Sequence, residues 1–260
     1  MCNGVPVGLR SKVKRAIQDL GYGLHRLKNK RALDTGTKRK RIEWGREHAG
    51  RRPVWWSNRG YADAHYWYLP RTAAETAATV SKKSIYRKGG EGSDSRFHGR
   101  RGTEYKQGRR VGVWGVLTSE GLSVAFLAAG RINGKSHAAL VRRYYRSWAG
   151  ECQAVFHDGE KALHGPAPKA AYQKVGVACA TFPPYSPDLN PIENVWAMLD
   201  TRLEATQPRR WEGEKAFKRR VRNAVTWLNA KRAGALKRTV ASMPRRIELL
   251  LKGRGAITPY

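Results

Sequence analysis

The sequence has few acidic residues, few cysteines and no long apolar run. It contains 20 Asp and Glu against 51 Lys and Arg, which gives a formal net charge of +31. Cys2, Cys152 and Cys179 lie far apart without CxxC spacing, which argues against a disulfide framework or a zinc module. No apolar run approaches the roughly 18 residues of a membrane span, and no signal peptide is recognisable. We therefore expect a soluble, intracellular protein with no membrane partner.

Positive charge and tryptophan are abundant instead. So large a surplus of positive charge predicts a polyanionic partner, most commonly nucleic acid. Nine Trp and an apolar fraction of 40% exclude a wholly disordered basic protein. A length of 260 residues is enough for one well-cored domain with an appendage, or for two small domains.

The first 50 residues are basic and predicted to be helical. Val13, Ile17 and Leu20 recur at helical spacing, and a second helix is predicted over 37–48. A solvated, charged helix without a ligand is one interpretation. The other is a DNA-binding helix followed by a basic linker that contacts phosphates. In that interpretation the residues that bind DNA are Lys12, Lys14, Arg15, Lys38, Arg39, Lys40 and Arg41.

From Pro53 onward, β-type and helical patterns alternate. The predicted strands are 54–58, 66–69, 111–118, 122–127, 154–157 and 176–182, and the predicted helices are 136–149, 168–175, one beginning at 191 and two after 211. Residues 82–110 lack periodicity and predict a flexible insertion loop. Early hairpins followed by a strand–helix–strand–helix order predict an α/β protein built on a layered sheet.

Two acidic residues occupy positions typical of a functional site. Asp158 follows the predicted strand 154–157, and ligand sites in α/β sheets gather at the carboxyl ends of strands. Glu193 begins the next predicted helix, with 34 residues between the two acids. Each has a structural interpretation as well. Asp158 can belong to an Asp-Gly turn, and Glu193 can form a capping box with Asn190.

The segment around Glu193 carries a family resemblance. Residues 184–196 read Pro-Tyr-Ser-Pro-Asp-Leu-Asn-Pro-Ile-Glu-Asn-Val-Trp. Together with His157-Asp-Gly and the 34-residue spacing, they closely resemble the signature of mariner-superfamily transposases and related bacterial insertion-sequence enzymes. The resemblance implies an RNase H-like fold, a mixed central sheet flanked by helices. It also implies DDE chemistry, in which Asp158 and Glu193 are catalytic and bind Mg²⁺ or Mn²⁺ without an organic cofactor.

The same resemblance predicts partners and domains. The predicted partner is double-stranded DNA carrying terminal inverted repeats. The chain is also expected to be able to form a homodimer. The predicted location is the nucleus of a eukaryote or the cytoplasm and nucleoid of a bacterium. Residues 1–50 are predicted to be a remnant of a helix-turn-helix module with a basic linker, because the first such unit and most of the second are not recognisable. Residues 51–210 form the predicted catalytic domain, and residues 211–260 the helices that pack on it.

The first catalytic carboxylate departs from the family pattern. Where relatives carry Asp in a Trp-Ser-Asp-Glu context, this chain has Asn58 followed by Arg59. A neutral amide in place of a carboxylate predicts weaker binding of divalent ions and an impaired or inactive enzyme. Asp63 is the alternative acid. It is five residues further on, about 17 Å along a continuous strand and on its other face, so that substituting for Asn58 would need a bulge or turn near Gly60.

Two other functions remain open at this stage. A non-catalytic DNA-binding protein of transposase origin would bind with strong salt dependence and without metal. A basic RNA-binding protein would account for the charge but not for the spacing of the acids. His157 and His164 also suggest a metal cluster, but they lack i,i+4 spacing and a cysteine partner, which argues against zinc.

Overall fold

A five-stranded mixed sheet forms the centre of the protein. The computed structural model describes residues 9–26, 33–69, 84–88, 109–128, 132–150, 152–160, 163–208 and 211–260. The strands are β1 (Tyr22–Arg26), β2 (Arg59–Leu69), β3 (Ser84–Lys88), β4 (Arg109–Thr118), β5 (Gly121–Phe126), β6 (Ala154–His157) and β7 (Ala178–Thr181). The central sheet has the order β5-β4-β2-β6-β7. The pairs β2–β4 and β4–β5 are antiparallel, and β2–β6 and β6–β7 are parallel.

Helices flank both faces of this sheet. They are α1 (Arg10–Asp19), α2 (Thr35–His48), α3 (Pro53–Ser57), α4 (Gly134–Leu140), α5 (Arg146–Trp148), α6 (Pro166–Val175), α7 (Ile192–Ala205), α8 (Glu214–Lys231), α9 (Ala233–Ala241) and α10 (Met243–Lys252). A π-helical turn, Val141–Tyr145, joins α4 to α5, and a 3₁₀ turn, Pro187–Leu189, precedes α7. The mixed sheet with flanking helices confirms the predicted fold class.

The two faces of the sheet support two separate cores, because successive side chains on a strand point to opposite sides. On β2, Tyr61 belongs to one core and Ala62 to the other. The larger core packs the sheet against α3 and α7–α10. The smaller core packs it against α4, the π-helical turn and α6. The sheet is therefore the rigid layer on which both sets of helices are positioned.

Most elements agree with their sequence predictions, and one differs in a way that affects the site. The β4–β5 hairpin, β6, β7 and the helix after Pro191 form where they were expected. Residues 53–57 form helix α3, however, whereas a strand was predicted over 54–58. Proline is favoured at the first position of a helix, and the turn buries Trp56 completely in the larger core. Tertiary burial thus overrides the β-propensity of Val and Trp.

The ends of the chain differ from expectation in detail. Three helices follow residue 211 instead of two, and all three contribute side chains to the larger core. Within the predicted insertion loop, residues 84–88 form β3, which pairs with β1. The remainder of that loop, 82–83 and 89–108, lies outside the described residues. In the described part of the chain, no helix has the length and apolar character needed to cross a membrane.

Candidate active site

Strand register brings Asp63 level with Asp158. Strands β2 and β6 are parallel, with Arg59 opposite Ala154 and Tyr61 opposite Phe156. If this register is continued by two residues beyond the pair Tyr61 and Phe156, Asp63 comes level with Asp158. Asp158 directly follows β6. Both carboxylates therefore emerge at one end of the sheet, at the carboxyl end of β6, where α/β sheets place their ligand sites.

A glycine allows the third acid to approach. Gly115 on β4 pairs with Asp63, and a Cβ at this position would lie 2.4 Å from the Trp196 ring. Only a residue without a side chain lets the indole lie so close to the strand. Trp196 is one turn beyond Glu193 on α7, so its packing sets the distance between that helix and Asp63.

The start of α7 is tied to β2 through Asn190. Its side-chain amide donates to the Ala62 carbonyl at 3.4 Å, next to Asp63, and its side-chain oxygen accepts from the Ile192 N–H at 3.4 Å. Pro191 stands at the N-cap position, so this arrangement replaces the predicted capping box. Glu193 is thereby free to turn toward the sheet, where it shares a side-chain hydrogen bond with Asp63.

The three acids form one electrostatic unit. Burial raises the pKa of Asp63 well above its usual range, and repulsion from Glu193 and Asp158 raises it further. Burial also raises the pKa of Glu193, partly offset by His65, and the pKa of Asp158, with Glu160 as the smaller contribution. Removal from water and the proximity of other carboxylates both disfavour the charged form of an acid. Among the described residues, burial and the two neighbouring acids make the largest contributions to the pKa of Asp63, in a protein whose net charge is +31.

An open cleft of about 340 Å³ gives access to Asp63 and Asp158. Asp63, Asp158 and Glu160 line it, and the Trp114 indole and Arg110 form part of its wall. The indole N–H of Trp196 faces Asp63 and slightly lowers the pKa of that acid. The N–H and the carboxyl group do not meet the geometric criteria for a hydrogen bond. The cleft therefore presents oxygen ligands, the donors that hard cations such as Mg²⁺ and Mn²⁺ prefer.

The structure does not bring Asn58 to this cluster. Asn58 ends α3, its side chain is exposed, and its carbonyl accepts from the Gln153 N–H at 3.1 Å. In the β2–β6 register it lies level with Gln153, about 17 Å from Asp158 at roughly 3.3 Å per residue. The expectation that Asn58 stands at the position of the first carboxylate is corrected by this register. Asn58 lies outside the strand because residues 53–57 form helix α3, so that β2 begins only at Arg59.

Arg59 also lies away from the acids. Its guanidinium stacks on Trp55 at 3.8 Å and donates to the Trp55 carbonyl at 3.1 Å. Asp63 lies within the continuous strand β2, five residues beyond Asn58, and comes level with the carboxyl end of β6 without a bulge.

A second buried acid has a different role. Asp188, in the loop before α7, forms an ion pair with Arg41 at 2.8 Å, and both side chains are almost completely buried. Arg41 also donates to Ser186 Oγ at 2.6 Å and the Gly255 carbonyl at 2.9 Å. The Thr258 N–H donates to Asp188 at 2.7 Å. Arg41 was predicted to bind DNA, and this prediction is wrong because the side chain is internal.

The other basic residues predicted to bind DNA are on the surface. They are Lys12, Lys14 and Arg15 on α1 and Lys38, Arg39 and Lys40 on α2. Arg39 forms an exposed pair with Glu43 at 3.4 Å, which is weak in water. These six residues remain available to a polyanion, and their contact with DNA stays a prediction.

The main chain of Asp158 is held by two imidazoles. His157 Nδ1 and His164 Nε2 donate to the Asp158 carbonyl at 3.0 and 3.1 Å. Burial lowers the pKa of His157 to about 4, so this imidazole is neutral near neutral pH. The two bonds fix the backbone from which the Asp158 carboxylate enters the cleft.

Comparison with known proteins identifies the family. Residues 75–216 match the family described as DDE superfamily endonuclease, a range that includes Asp158 and Glu193 and begins after Asp63. The chain is 23% identical to the transposable element Tcb1 transposase of Caenorhabditis briggsae, over 98% of this chain and 89% of that protein. It is 24% identical to the transposable element Tc1 transposase of Caenorhabditis elegans, with the same coverage of both proteins.

Solved structures show the same fold. The Mos1 transposase catalytic domain, in complex with raltegravir and Mn, superposes with a TM-score of 0.61 at 13% identity, covering 88% of this chain and 100% of that one. The Mos1 paired-end complex with the left transposon end gives a TM-score of 0.61 at 15% identity, covering 94% and 70%. The chain belongs to the DDE superfamily endonucleases and is a mariner-type transposase catalytic domain with an RNase H-like fold.

Proposed function

We propose that this protein is a catalytically competent DNA transposase in which Asp63, Asp158 and Glu193 are the three metal-binding carboxylates. The observation that carries the proposal is the β2–β6 register, which aligns Asp63 with Asp158 and leaves Asn58 at the other end of the strand. Asp63 replaces Asn58 in this role, and the impairment that the sequence suggested does not follow. Phosphodiester cleavage and joining of the DNA ends are the expected reactions.

The carboxylates fit two divalent cations by their chemistry. Asp63 is repelled by both other acids, and a bound cation would relieve that repulsion. Asp63, Asp158 and Glu193 are therefore the residues that would hold the ions. When bound, Mg²⁺ or Mn²⁺ would activate a water or a 3′-hydroxyl and stabilise the leaving oxygen.

The protein's own contribution is positioning. His157 and His164 hold the backbone of Asp158, and Asn190 and Trp196 hold the helix that carries Glu193. Oxygen ligands fixed in this way need little reorganisation during the reaction. The acids also lie on rigid elements, a strand interior, a strand end and the first turn of a helix.

Double-stranded DNA is the proposed substrate. The net charge of +31 favours a polyanion, and the exposed lysines and arginines of α1 and α2 offer phosphate contacts. The Mos1 structures similar to this chain include a complex with a transposon end and a strand transfer complex. By this likeness we propose that the chain recognises terminal repeats and integrates DNA, in the nucleus of a eukaryote or the nucleoid of a bacterium.

A nicking assay on supercoiled plasmid DNA with Mg²⁺ or Mn²⁺ tests the assignment. We expect Asp63→Asn and Asp158→Asn each to reduce nicking at least about 100-fold, because each removes a metal ligand. Asn58→Ala is the matched control, and it should nick DNA like the unmodified chain. Asn58→Asp should bring no gain.

Two results would overturn the assignment. One is a gain of activity in Asn58→Asp, and the other is full activity in Asp63→Asn. If no variant nicks this DNA, Mn²⁺ binding measured by calorimetry decides, since it needs no substrate. Loss of Mn²⁺ binding in Asp63→Asn but not in Asn58→Ala supports the metal site, whereas DNA binding without any Mn²⁺ binding favours a non-catalytic protein.

A further inference from the structure

A cluster of nitrogen and sulfur ligands lies directly behind Asp158. His157 Nε2 is 2.9 Å from Cys179 Sγ, and His164 Nδ1 is 3.7 Å from the same sulfur. The ligand atoms of all three side chains lie within 4.8 Å of one another. The two imidazole rings are stacked, with centroids 4.7 Å apart.

The tertiary structure assembles this group from three segments. His157 ends β6, His164 precedes α6, and Cys179 belongs to β7, which is parallel to β6. Val155 pairs with Cys179, so that His157 and Cys179, 22 residues apart in the chain, become neighbours across the sheet. A cysteine 22 residues from His157 in the chain is not recognisable as its partner from sequence spacing alone.

Hydrogen bonding determines which nitrogens are free to bind a metal. A carbonyl oxygen can only accept, so the nitrogens on the Asp158 carbonyl, His157 Nδ1 and His164 Nε2, carry the protons. In neutral imidazoles the opposite nitrogens then have lone pairs, and these are the two atoms that face Cys179 Sγ. Metal-binding histidines typically donate their remote N–H to a carbonyl in this manner.

We propose that His157 Nε2, His164 Nδ1 and Cys179 Sγ form a zinc site distinct from the carboxylate cluster. With Zn–N of about 2.05 Å and Zn–S of about 2.3 Å, tetrahedral zinc separates nitrogen and sulfur ligands by about 3.6 Å. The observed separations of 2.9 and 3.7 Å lie on either side of this value, and rotation of the stacked imidazoles would direct both lone pairs at one ion. Binding releases the Cys179 thiol proton to solvent, and a water takes the fourth position.

The two sites would select different ions. Imidazole and thiolate ligands favour zinc, whereas an all-carboxylate site favours Mg²⁺ or Mn²⁺. Zinc bound here would link β6, β7 and the segment before α6. Both imidazoles hold the Asp158 carbonyl, so the ion would position Asp158 for its own metal without taking part in the reaction.

Cobalt substitution in the full chain tests the site, with Cys179 as the sole thiol. In the Cys2→Ser, Cys152→Ser background, with excess Mg²⁺ present to occupy the carboxylates, we expect a thiolate-to-cobalt charge-transfer band and tetrahedral ligand-field bands that saturate at one Co²⁺ per chain. Stoichiometric Zn²⁺ should displace the cobalt, and excess Mg²⁺ should not. Adding Cys179→Ser should abolish the charge-transfer band, and adding His164→Asn should weaken Co²⁺ binding at least about tenfold.

Controls separate this site from the carboxylates and from misfolding. Asp63→Asn in the same background should retain the cobalt spectrum, since its carboxylate is not a ligand of this site. Circular dichroism checks the fold of each variant, and Cys179→Ala replaces Cys179→Ser if the latter unfolds. No charge-transfer band in the sole-thiol protein, or a band that survives Cys179→Ser, would overturn the proposal and leave a metal-free hydrogen-bonded cluster. The readout does not depend on DNA cleavage.

Discussion

Two acid sites in the described part of the chain are organised in opposite ways. Asp188 is enclosed with Arg41, and its oxygens accept hydrogen bonds from the guanidinium and from the Thr258 N–H. Asp63 faces Glu193 and Asp158, and its pKa is raised by its own burial and by repulsion from both acids. An acid whose charge the protein neutralises is structural, whereas acids left in mutual repulsion form a site for an external cation.

Net charge does not explain this difference. Lys and Arg outnumber Asp and Glu by 51 to 20, so any acid could have been given a basic partner. Arg110 does line the carboxylate cleft, but its guanidinium stacks on Tyr66 at 3.7 Å. Arg59, beside the expected first carboxylate, stacks on Trp55. Stacking on an aromatic ring thus holds Arg110, the arginine that lines the cleft, in a cation–π contact.

The largest expected effect comes from breaking the neutralised site. Arg41→Ala leaves the Asp188 carboxylate buried without its cation, which should reduce the free energy of unfolding by about 3–5 kcal/mol. Urea denaturation measures this change. Lys40→Ala, an exposed neighbour on α2, is the control and should change stability by less than about 0.5 kcal/mol. A loss below about 1 kcal/mol for Arg41→Ala would show that the pair is not structural.

A methyl group at Gly115 should disrupt the acid cluster without removing an acid. The new Cβ would lie 2.4 Å from the Trp196 ring and push α7, with Glu193, away from β2. We expect Gly115→Ala to destabilise the protein by about 2 kcal/mol and to weaken Mn²⁺ binding at least about tenfold. Calorimetry and urea denaturation measure the two effects. Gly165→Ala is the control, because nothing lies within 4 Å of a Cβ there; unchanged Mn²⁺ binding in Gly115→Ala would contradict the packing argument.

The pH dependence of stability should distinguish the acid cluster from the rest of the protein. Burial and the neighbouring acids raise the pKa of Asp63 in the folded state well above its usual range, so the native state binds more protons than the unfolded state above about pH 4. Without metal, this group makes stability fall as pH rises, by at most about 1.4 kcal/mol per pH unit, until its folded-state pKa is passed. Thermal unfolding in EDTA between pH 4 and pH 8 should show a smaller decline in Asp63→Asn. An identical profile in the variant would exclude the raised pKa.

The smallest effect is expected at the rim of the cleft. Glu160 lines the cleft and raises the pKa of Asp158, but its side chain is exposed and its charge is screened by water. Glu160→Gln should therefore weaken Mn²⁺ binding only about two- to threefold, compared with a near-complete loss in Asp158→Asn. Calorimetry compares the two, with Glu120→Gln on the distant β4–β5 turn as control. A loss as large as that of Asp158→Asn would make Glu160 a metal ligand.

The fold was largely predictable because its signals are local. The β4–β5 hairpin follows from two apolar runs around Ser-Glu-Gly, and β6 follows from a short apolar run ending at Asp158. Helix α3 was not predictable in this way. Val54, Trp55 and Trp56 favour a strand by propensity, and only the buried pocket for Trp56 makes the helical turn more stable.

Two of the three acids of the proposed site were predictable for the same reason. Asp158 and Glu193 occupy positions defined by neighbouring residues, a strand end and a helix start. Asp63 lies in the middle of an eleven-residue strand, where nothing local distinguishes it. The one usable signal was the alternation of Asp63 with apolar residues along that strand. If the start of the strand is misplaced, this alternation no longer shows which face of the sheet Asp63 occupies.

The sequence alone determined the basic character, the pattern of strands and helices, the family resemblance and two of the three acids of the proposed site. Each of these depends on composition or on neighbouring residues in the chain. Strand register and side-chain burial decided the rest. They placed Asp63 beside Asp158, enclosed Arg41 with Asp188, and brought Cys179 to two histidines. Contacts between distant segments form only when the whole core packs, so no short stretch of sequence encodes them.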